Sequence, residues 1–327
     1  MNIIALAEVV VDWLSLRPGE TILTAREFVR ALGGNSTNVA IGLRRLGVPV
    51  HLLGKIGNDI HAEFLEEALR AEDIDLTHII RDARYPTAQC YMTTTINDFH
   101  EFRNWPQPHA ADMLALEDLP VELLRSADLV HTTGISMVCD PRRSAVVKAI
   151  DIASESGALI SFDASYPNSS RLAHEPIEEL LGKTDLLKMN QAELVFWARQ
   201  PGLIDELARI VFDRYRPVVL MVTLAAKGSK IYTAQHSLTC QPYPVQAISE
   251  VGAGDAYIAG FIYWITQLLK DKPRPWRQHL EALTADDWQQ AGWAGNVAGA
   301  LTTLEQNAYG GMPDLVKFAD AMRFFKP

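Results

Sequence analysis

The segment Ser249–Phe261, SEVGAGDAYIAGF, places two glycines and an alanine ahead of an aspartate, and an almost wholly apolar helical run follows. A helix start carries unpaired N–H groups and the positive end of the helix dipole, so Gly252, Ala253 and Gly254 could cradle an anion against bare backbone. Asp255 repels such an anion unless it has separate work, such as taking a proton from an attacking hydroxyl. The plainer alternative is that Asp255 caps the helix. This segment alone leaves both open.

Two more segments carry similar chemistry. ALGGNSTNVAIGLRRLG (Ala31–Gly47) sets Gly33 and Gly34 before a polar helix start, with Asn38 in the first turn. It is either a ligand contact or an ordinary glycine turn into a capped helix. LLKMNQAEL (Leu186–Leu194) is a strand ending in Asn190, with Glu193 three residues on. That spacing suits a helix cap. It also suits an amide and a carboxylate at a strand's C-terminal edge, facing phosphate oxygens and the water shell of Mg²⁺. Several other chemistries are excluded: GxxxxGK[ST], HExxH and GxSxG are absent, no GxGxxG follows the first strand, and the histidines show no metal-ligand spacing.

The elements that must position these residues alternate. Ile3–Val11, Val50–Lys55, Leu129–Thr132, Ala158–Phe162, Leu186–Met189 and Val218–Val222 read as buried strands. Between them Asn38–Leu46, Ala62–Ala71, Arg142–Ser156 and Gln191–Ala198 are amphipathic and helical. This rhythm predicts an α/β fold, a mostly parallel sheet flanked by helices. Trp13–Leu32 and Thr87–Trp105 break it; TAQCYMTTTINDFHEF alternates with period two, as a one-sided sheet does. The expectation is a body of residues 1–12, 33–86 and 106–327, with 13–32 and 87–105 forming a small inserted β lid. KDKPRPWRQH (Lys270–His279) reads as a surface connection.

The 327 residues allow a large core, and the formal charge of −10 argues against a nucleic-acid or anionic membrane partner. Three scattered cysteines form no disulfide framework, the N-terminus lacks the basic region of a signal peptide, and the apolar run Ala256–Leu269 is too short to span a bilayer. A cytoplasmic protein is expected. A homodimer is expected from the lid, whose open edge calls for cover.

Taken together and in order, Asp12 after a strand, GGNSTN, GKIGNDIHAEFL, NQAE, VTLAAKGS, GAGDAYIAGF and NVAGALTT resemble the ribokinase/PfkB family of carbohydrate kinases, from Ile3 to about Pro313. The resemblance implies a Rossmann-like body with a β lid that transfers the γ-phosphoryl of ATP, with Mg²⁺, to a sugar hydroxyl. It makes Asp255 the base and Gly252–Gly254 the anion hole, and it puts Asp12, Gly33, Gly34 and Asn38 on the sugar. Asn190 and Glu193 then face phosphates and Mg²⁺, Thr223, Lys227 and Gly228 the nucleotide, and Asn296 the adenine side. Asp163, from a loosely matched Asp-Pro-Asn-x-Arg motif, is a second metal candidate. Gln89, Tyr91 and Thr93 share one lid face and are candidates for touching the acceptor.

The departures are local. Ser249 and Glu250 replace an Asp-Thr pair whose Asp helps hold a monovalent cation in relatives, so K⁺ activation is in doubt. Asn307 stands where Gly is common, Asn being a residue that tolerates the left-handed conformation. Thr223–Ala226 replaces Thr-Leu-Gly, Ala7-Glu8 replaces Gly-Glu, and Arg171 fits the family motif only with an insertion. The layout is similar to the fructokinase and 2-keto-3-deoxygluconate kinase branch. Without a clear lid arginine, a neutral sugar or a nucleoside-like ribose is favoured over a sugar acid. A nucleoside kinase, a non-catalytic sugar- or nucleotide-binding protein and, on architecture alone, a dinucleotide-dependent oxidoreductase are the competing readings.

Overall fold

Apolar runs that are buried on both faces become central strands of a large sheet. The computed structural model describes every residue except Ala7, Pro18, 95–99, 166–173 and 325–327, so Ala7 and Arg171 lie outside the described residues. In chain order its strands are β1 (Ile3–Leu6), β2 (Val10–Ser15), β3 (Phe28–Gly33), β4 (Val50–Ile56), β5 (Ile79–Arg81), β6 (Gln89–Thr94) and β7 (His100–Trp105), then β8 (Leu129–Thr133), β9 (Leu159–Asp163), β10 (Leu186–Asn190), β11 (Val219–Thr223), β12 (Ser229–Tyr232) and β13 (Ser237–Cys240). The large sheet runs β13-β12-β11-β10-β9-β8-β1-β4-β5. It is parallel from β5 to β11, and β12 and β13 add an antiparallel edge.

Each face of this sheet has its own core. Ile3, Leu129, Leu159, Leu186 and Met221 pack beneath helices Asn35–Arg45, Ala253–Leu269 and Ala285–Thr302. Ile4, Val130, Ile160, Leu187 and Leu220 pack on the other side against Arg142–Glu155, Gln191–Ala198 and Ile204–Tyr215. Each such aliphatic side chain, fully buried, contributes roughly 1.5–3 kcal/mol. Toward the carboxyl ends of the strands the first face turns polar: His131, Thr133, Ser161, Asp163 and Lys188 are all buried there. Register puts Thr133 opposite Asp163 and Asp163 opposite Lys188.

The expected single strand Ile3–Val11 is two strands in two sheets. Glu8 breaks it: its carboxylate is buried and accepts from Ser136 Oγ (2.5 Å), and its carbonyl accepts from Thr37 Oγ1 (2.9 Å). The Glu8 carbonyl is thereby given to Thr37 rather than to a neighbouring strand, and β2 starts afresh in a separate four-stranded sheet, β3-β2-β6-β7. β2 and β6 are parallel, while β2–β3 and β6–β7 are antiparallel. Asp12 and Gly33, expected in the body, are thereby carried by strands of this small sheet. The Lys270–His279 segment is a connection only as far as Pro275, after which helix Trp276–Glu281 begins. Arg274 and the buried Trp276 both donate to Asp128 Oδ1 and tie this segment to the sheet.

Candidate active site

Helix Ala253–Leu269 starts at Gly252, which has φ 81° and offers no side-chain cap; Ala253 N donates to the backbone carbonyl of Glu250 (3.2 Å), and no side chain caps the first turn. A Cβ on Gly252 would sit 2.2 Å from Ala308 Cβ, so both the positive φ and the close packing demand glycine. Asp255 does not cap the helix. It is buried, and its Oδ2 accepts a 2.8 Å hydrogen bond from Asn38 Nδ2, from the first turns of helix Asn35–Arg45. The two helix starts therefore converge on one carboxylate.

Asp12 joins them. An ideal Cβ on Gly33 would fall 2.0 Å from Asp12 Oδ2, so the glycine clears the space that the carboxylate occupies. Gly34 has φ 104° and its missing Cβ would meet Glu8 O at 1.9 Å. Burial pushes Asp255 up to about 8, with Asp163 and Glu8 adding to the rise while the Asn38 bond and Lys188 oppose it. Asp12 is likewise pushed to about 8, first by burial and then by Asp255. A carboxylate poised near neutral pH, buried at a helix start, suits a general base.

Lys188, which carried no assignment from the sequence, is the cation set among these acids. It is buried, and its Nζ binds both oxygens of Asp163 at 3.0 Å. The only sequence signal was a lysine inside an otherwise apolar strand.

Asn190 and Glu193 form the capping box. Asn190 Oδ1 accepts from Glu193 N (2.9 Å), Glu193 Oε2 from Asn190 N (2.7 Å), and Glu193 Oε1 from Asn190 Nδ2 (2.9 Å). Both Glu193 oxygens already serve the cap and both Asp163 oxygens serve Lys188. Each of these oxygens thus already accepts at least one hydrogen bond, and the described residues hold no cluster of three or more metal-ligating side chains. Such a donor set would meet a divalent ion through the ion's own water shell and phosphate ligands rather than through a protein cage.

The nucleotide candidates lie at the same edge of the sheet. Thr223 ends β11 opposite Asn190. Lys227 is exposed, and Gly228 (φ 83°) packs against Cys240 O, where a Cβ would stand 2.3 Å away. Ala225 adopts φ 50°, so the loop keeps a left-handed residue despite its Cβ. Asn296 donates to Cys240 O (3.1 Å) and Gln241 O (2.8 Å), pinning the chain after β13.

The lid candidates differ from expectation. Register sets Ala31, Asp12, Cys90 and Asn104 in one row across the small sheet, and directly opposed residues share a face. Arg30, Trp13, Tyr91 and Arg103 form the next row, on the opposite face. Tyr91 stacks on Trp13 (5.9 Å), and Gln89 Oε1 accepts from Trp13 Nε1 at 2.9 Å. Trp13 in turn meets His61 edge-on, and Arg30 lies 3.9 Å over the Phe64 ring. Gln89, Tyr91 and Thr93 thus face away from Asp12, toward helix Ile60–Ala71. Cys90 is the β6 residue beside Asp12, and burial followed by the Asp12 charge pushes its thiol upward.

The departures also resolve locally. Ser249 is buried and Glu250 exposed, so Glu250 adds no charge inside the site. Asn307 is extended (φ −129°) rather than left-handed, and its side chain caps helix Ala308–Gly311 by accepting from Gly310 N.

A sequence profile described as pfkB family carbohydrate kinase matches residues 2–315. Among curated proteins the chain is 29% identical to "Probable fructokinase-2" of Arabidopsis thaliana, covering 99% of this chain and 95% of that one. It is also 29% identical to "Fructokinase-1" of Oryza sativa subsp. japonica, with coverages of 98% and 97%. Among solved structures, fructokinase with bound ATP from Xylella fastidiosa superposes with TM-score 0.86 at 20% identity, covering 98% of both chains. Fructokinase from Vibrio cholerae O395 with fructose, ADP and calcium ion superposes with TM-score 0.81 at 24% identity and the same coverage. These likenesses place the fold among the ribokinase-like α/β structures.

Proposed function

The chain belongs to the pfkB family of carbohydrate kinases, and on that premise we propose that it phosphorylates fructose or a closely similar neutral sugar, with Asp255 as the base. The reaction is ATP-dependent phosphorylation of a sugar hydroxyl. The observation that carries the residue assignment is the convergence on Asp255 of Asn38, of Asp12 and of the uncapped start of helix Ala253–Leu269.

Phosphoryl transfer asks a protein mainly for positioning and for stabilisation of negative charge. Asp12, beside Gly33 and Gly34, is placed to hold the sugar. Asp255 takes the proton from the attacking hydroxyl as the new O–P bond forms, and the first-turn N–H groups meet the charge on the transferred group. Glu193 would hold Mg²⁺ through its water shell, and the ion, when bound with the nucleotide, would supply neutralisation of phosphate charge. Thr223, Gly228 and the Asn296-pinned segment form the nucleotide side. The small sheet acts as a lid that excludes water.

Fructose is favoured by the names of the similar proteins and by the faces of the lid. Arg30 and Arg103 stand on the face away from Asp12, so no guanidinium among the described residues of the Asp12 row awaits a carboxylate. The protein acts as a cytoplasmic homodimer in this reading. No described helix is long and apolar enough to cross a membrane, and Cys90, Cys139 and Cys240 are free.

The test is ADP release with MgATP across fructose, glucose, ribose, 2-keto-3-deoxygluconate and adenosine, with K⁺ and with Na⁺. Highest kcat/KM on fructose is expected, without dependence on K⁺ because Ser249 offers no carboxylate. Preference for the sugar acid or the nucleoside would overturn the acceptor, and binding of ATP without turnover on any of them would favour a binding protein.

A further inference from the structure

Of the described residues that act most strongly on Asp255, Lys188 is the one cation. Glu8, from the β1–β2 break, and Asp163, from β9, act on Asp255; Asp12 of β2 is raised by Asp255, and Glu193, from the helix after β10, acts on Lys188. Asn38 and His131 are uncharged; burial, then Lys188, pushes His131 down to about 3. A nucleotide bringing several negative charges enters this acidic surround. The helix dipole amounts to about half an elementary charge and is small against it.

Lys188 lies where a counter-charge is needed. Its Nζ would stand 3.0 Å from a Cβ on Gly254, so the ammonium presses against the first turn of helix Ala253–Leu269 from the sheet side. An ammonium has three N–H donors. Two go to Asp163 Oδ1 and Oδ2, and the third has no acceptor among the described residues, although the side chain is only 6% exposed. Burial works against its charge, but Asp163 and then Glu193 more than offset this, so Lys188 stays protonated.

Building on the kinase reading, we infer that Lys188 is a catalytic residue whose remaining N–H, held in place by Asp163, receives the phosphoryl group as it passes from ATP to the sugar. The sugar oxygen forms its bond to phosphorus, the bridging bond to the β-phosphate breaks with its electron pair leaving on that phosphate, and the proton goes to Asp255. Lys188 keeps its own protons throughout and supplies only charge and one hydrogen bond. A glycine at 254 is then required twice, for the anion above and for the ammonium below.

A purely structural ion pair makes a different prediction, and two variants separate the possibilities. K188M removes the cation and leaves Asp163 buried alone; D163N/K188M removes both charges. Binding of ADP and of β,γ-methylene-ATP is measured by calorimetry, beside kcat and the melting temperature. Lys188 on the transferred group predicts that D163N/K188M melts close to wild type and binds ADP within twofold. The same variant binds the γ-phosphate analogue at least tenfold more weakly and turns over at least a hundredfold more slowly, with fructose KM little changed. Should K188M fail to fold, the double variant carries the test. Recovery of both analogue binding and kcat in D163N/K188M would overturn the inference and leave Lys188 as a neutraliser of Asp163. Wild-type protein that binds neither nucleotide would instead refute the kinase reading itself.

Discussion

Asn38 Nδ2 reaches Asp255 Oδ2 at 2.8 Å across 217 residues of sequence, joining the first turns of two helices that lie on the same face of the sheet. The bond favours the ionised carboxylate, in opposition to the burial that disfavours it. Asn38→Ala should therefore shift the acid limb of the kcat/KM profile to higher pH. Activity at pH 7 should fall about tenfold to a hundredfold, the worth of a hydrogen bond to a charged group. An unchanged profile would separate Asn38 from the base.

The raised carboxyls also set the direction of a stability change. Asp12 and Asp255 have folded values of about 8 against an ordinary 3.8, so the folded protein keeps protons that the unfolded chain releases between those limits. That contribution is fully present below the unfolded value and is lost as pH rises through the folded one, at up to about 1.4 kcal/mol per proton for each pH unit. The ligand-free protein should melt lower at pH 8 than at pH 6, and D12N/D255N should flatten this slope. Equal slopes in the two proteins would show that these carboxyls are not the source.

Facing decides what the lid substitutions do. Gln89→Ala removes the acceptor for Trp13 Nε1 and should cost about 1 kcal/mol of stability. Fructose KM should stay near the wild-type value for this variant and for Tyr91→Phe. Cys90→Phe, projecting into the Asp12 row, should raise that KM far more. Large KM effects at residue 91 and none at residue 90 would reverse the assignment of faces.

Ala225 holds φ 50° in the nucleotide loop, a conformation that costs a Cβ-bearing residue roughly 1–2 kcal/mol. Ala225→Gly should be neutral or stabilising, since relief of strain offsets the greater freedom of glycine in the unfolded chain. Thermal melting and ATP KM check this together; a clear loss of stability would mean that the loop prefers the alanine.

Much of this was legible because some residues act through local rules. Asn190 and Glu193 read as a cap at their spacing and form one. Gly252–Asp255 left a cap and an anion cradle both open; the positive φ of Gly252 and the Asn38 bond to Asp255, neither fixed by the segment itself, decide against the cap. What escaped depends on register and long-range burial. Period-two alternation gives β6 two faces but not which one meets Asp12; pairing of Cys90 with Asp12 decides that. Ile3–Val11 reads as one apolar run because the cost of breaking it is met by Ser136 and Thr37, far away in sequence. Lys188 could be noticed but not placed, since its meaning comes from Asp163 on the neighbouring strand.

The most direct measurement compares Asp255→Asn with wild type for fructose-dependent ADP release and for ATP binding on the same samples. Asp255 as base predicts a kcat lower by roughly 10²–10⁴-fold, with ATP still bound and the protein still folded. Turnover within a few-fold of wild type would contradict the account, because Asn at that position can accept no proton.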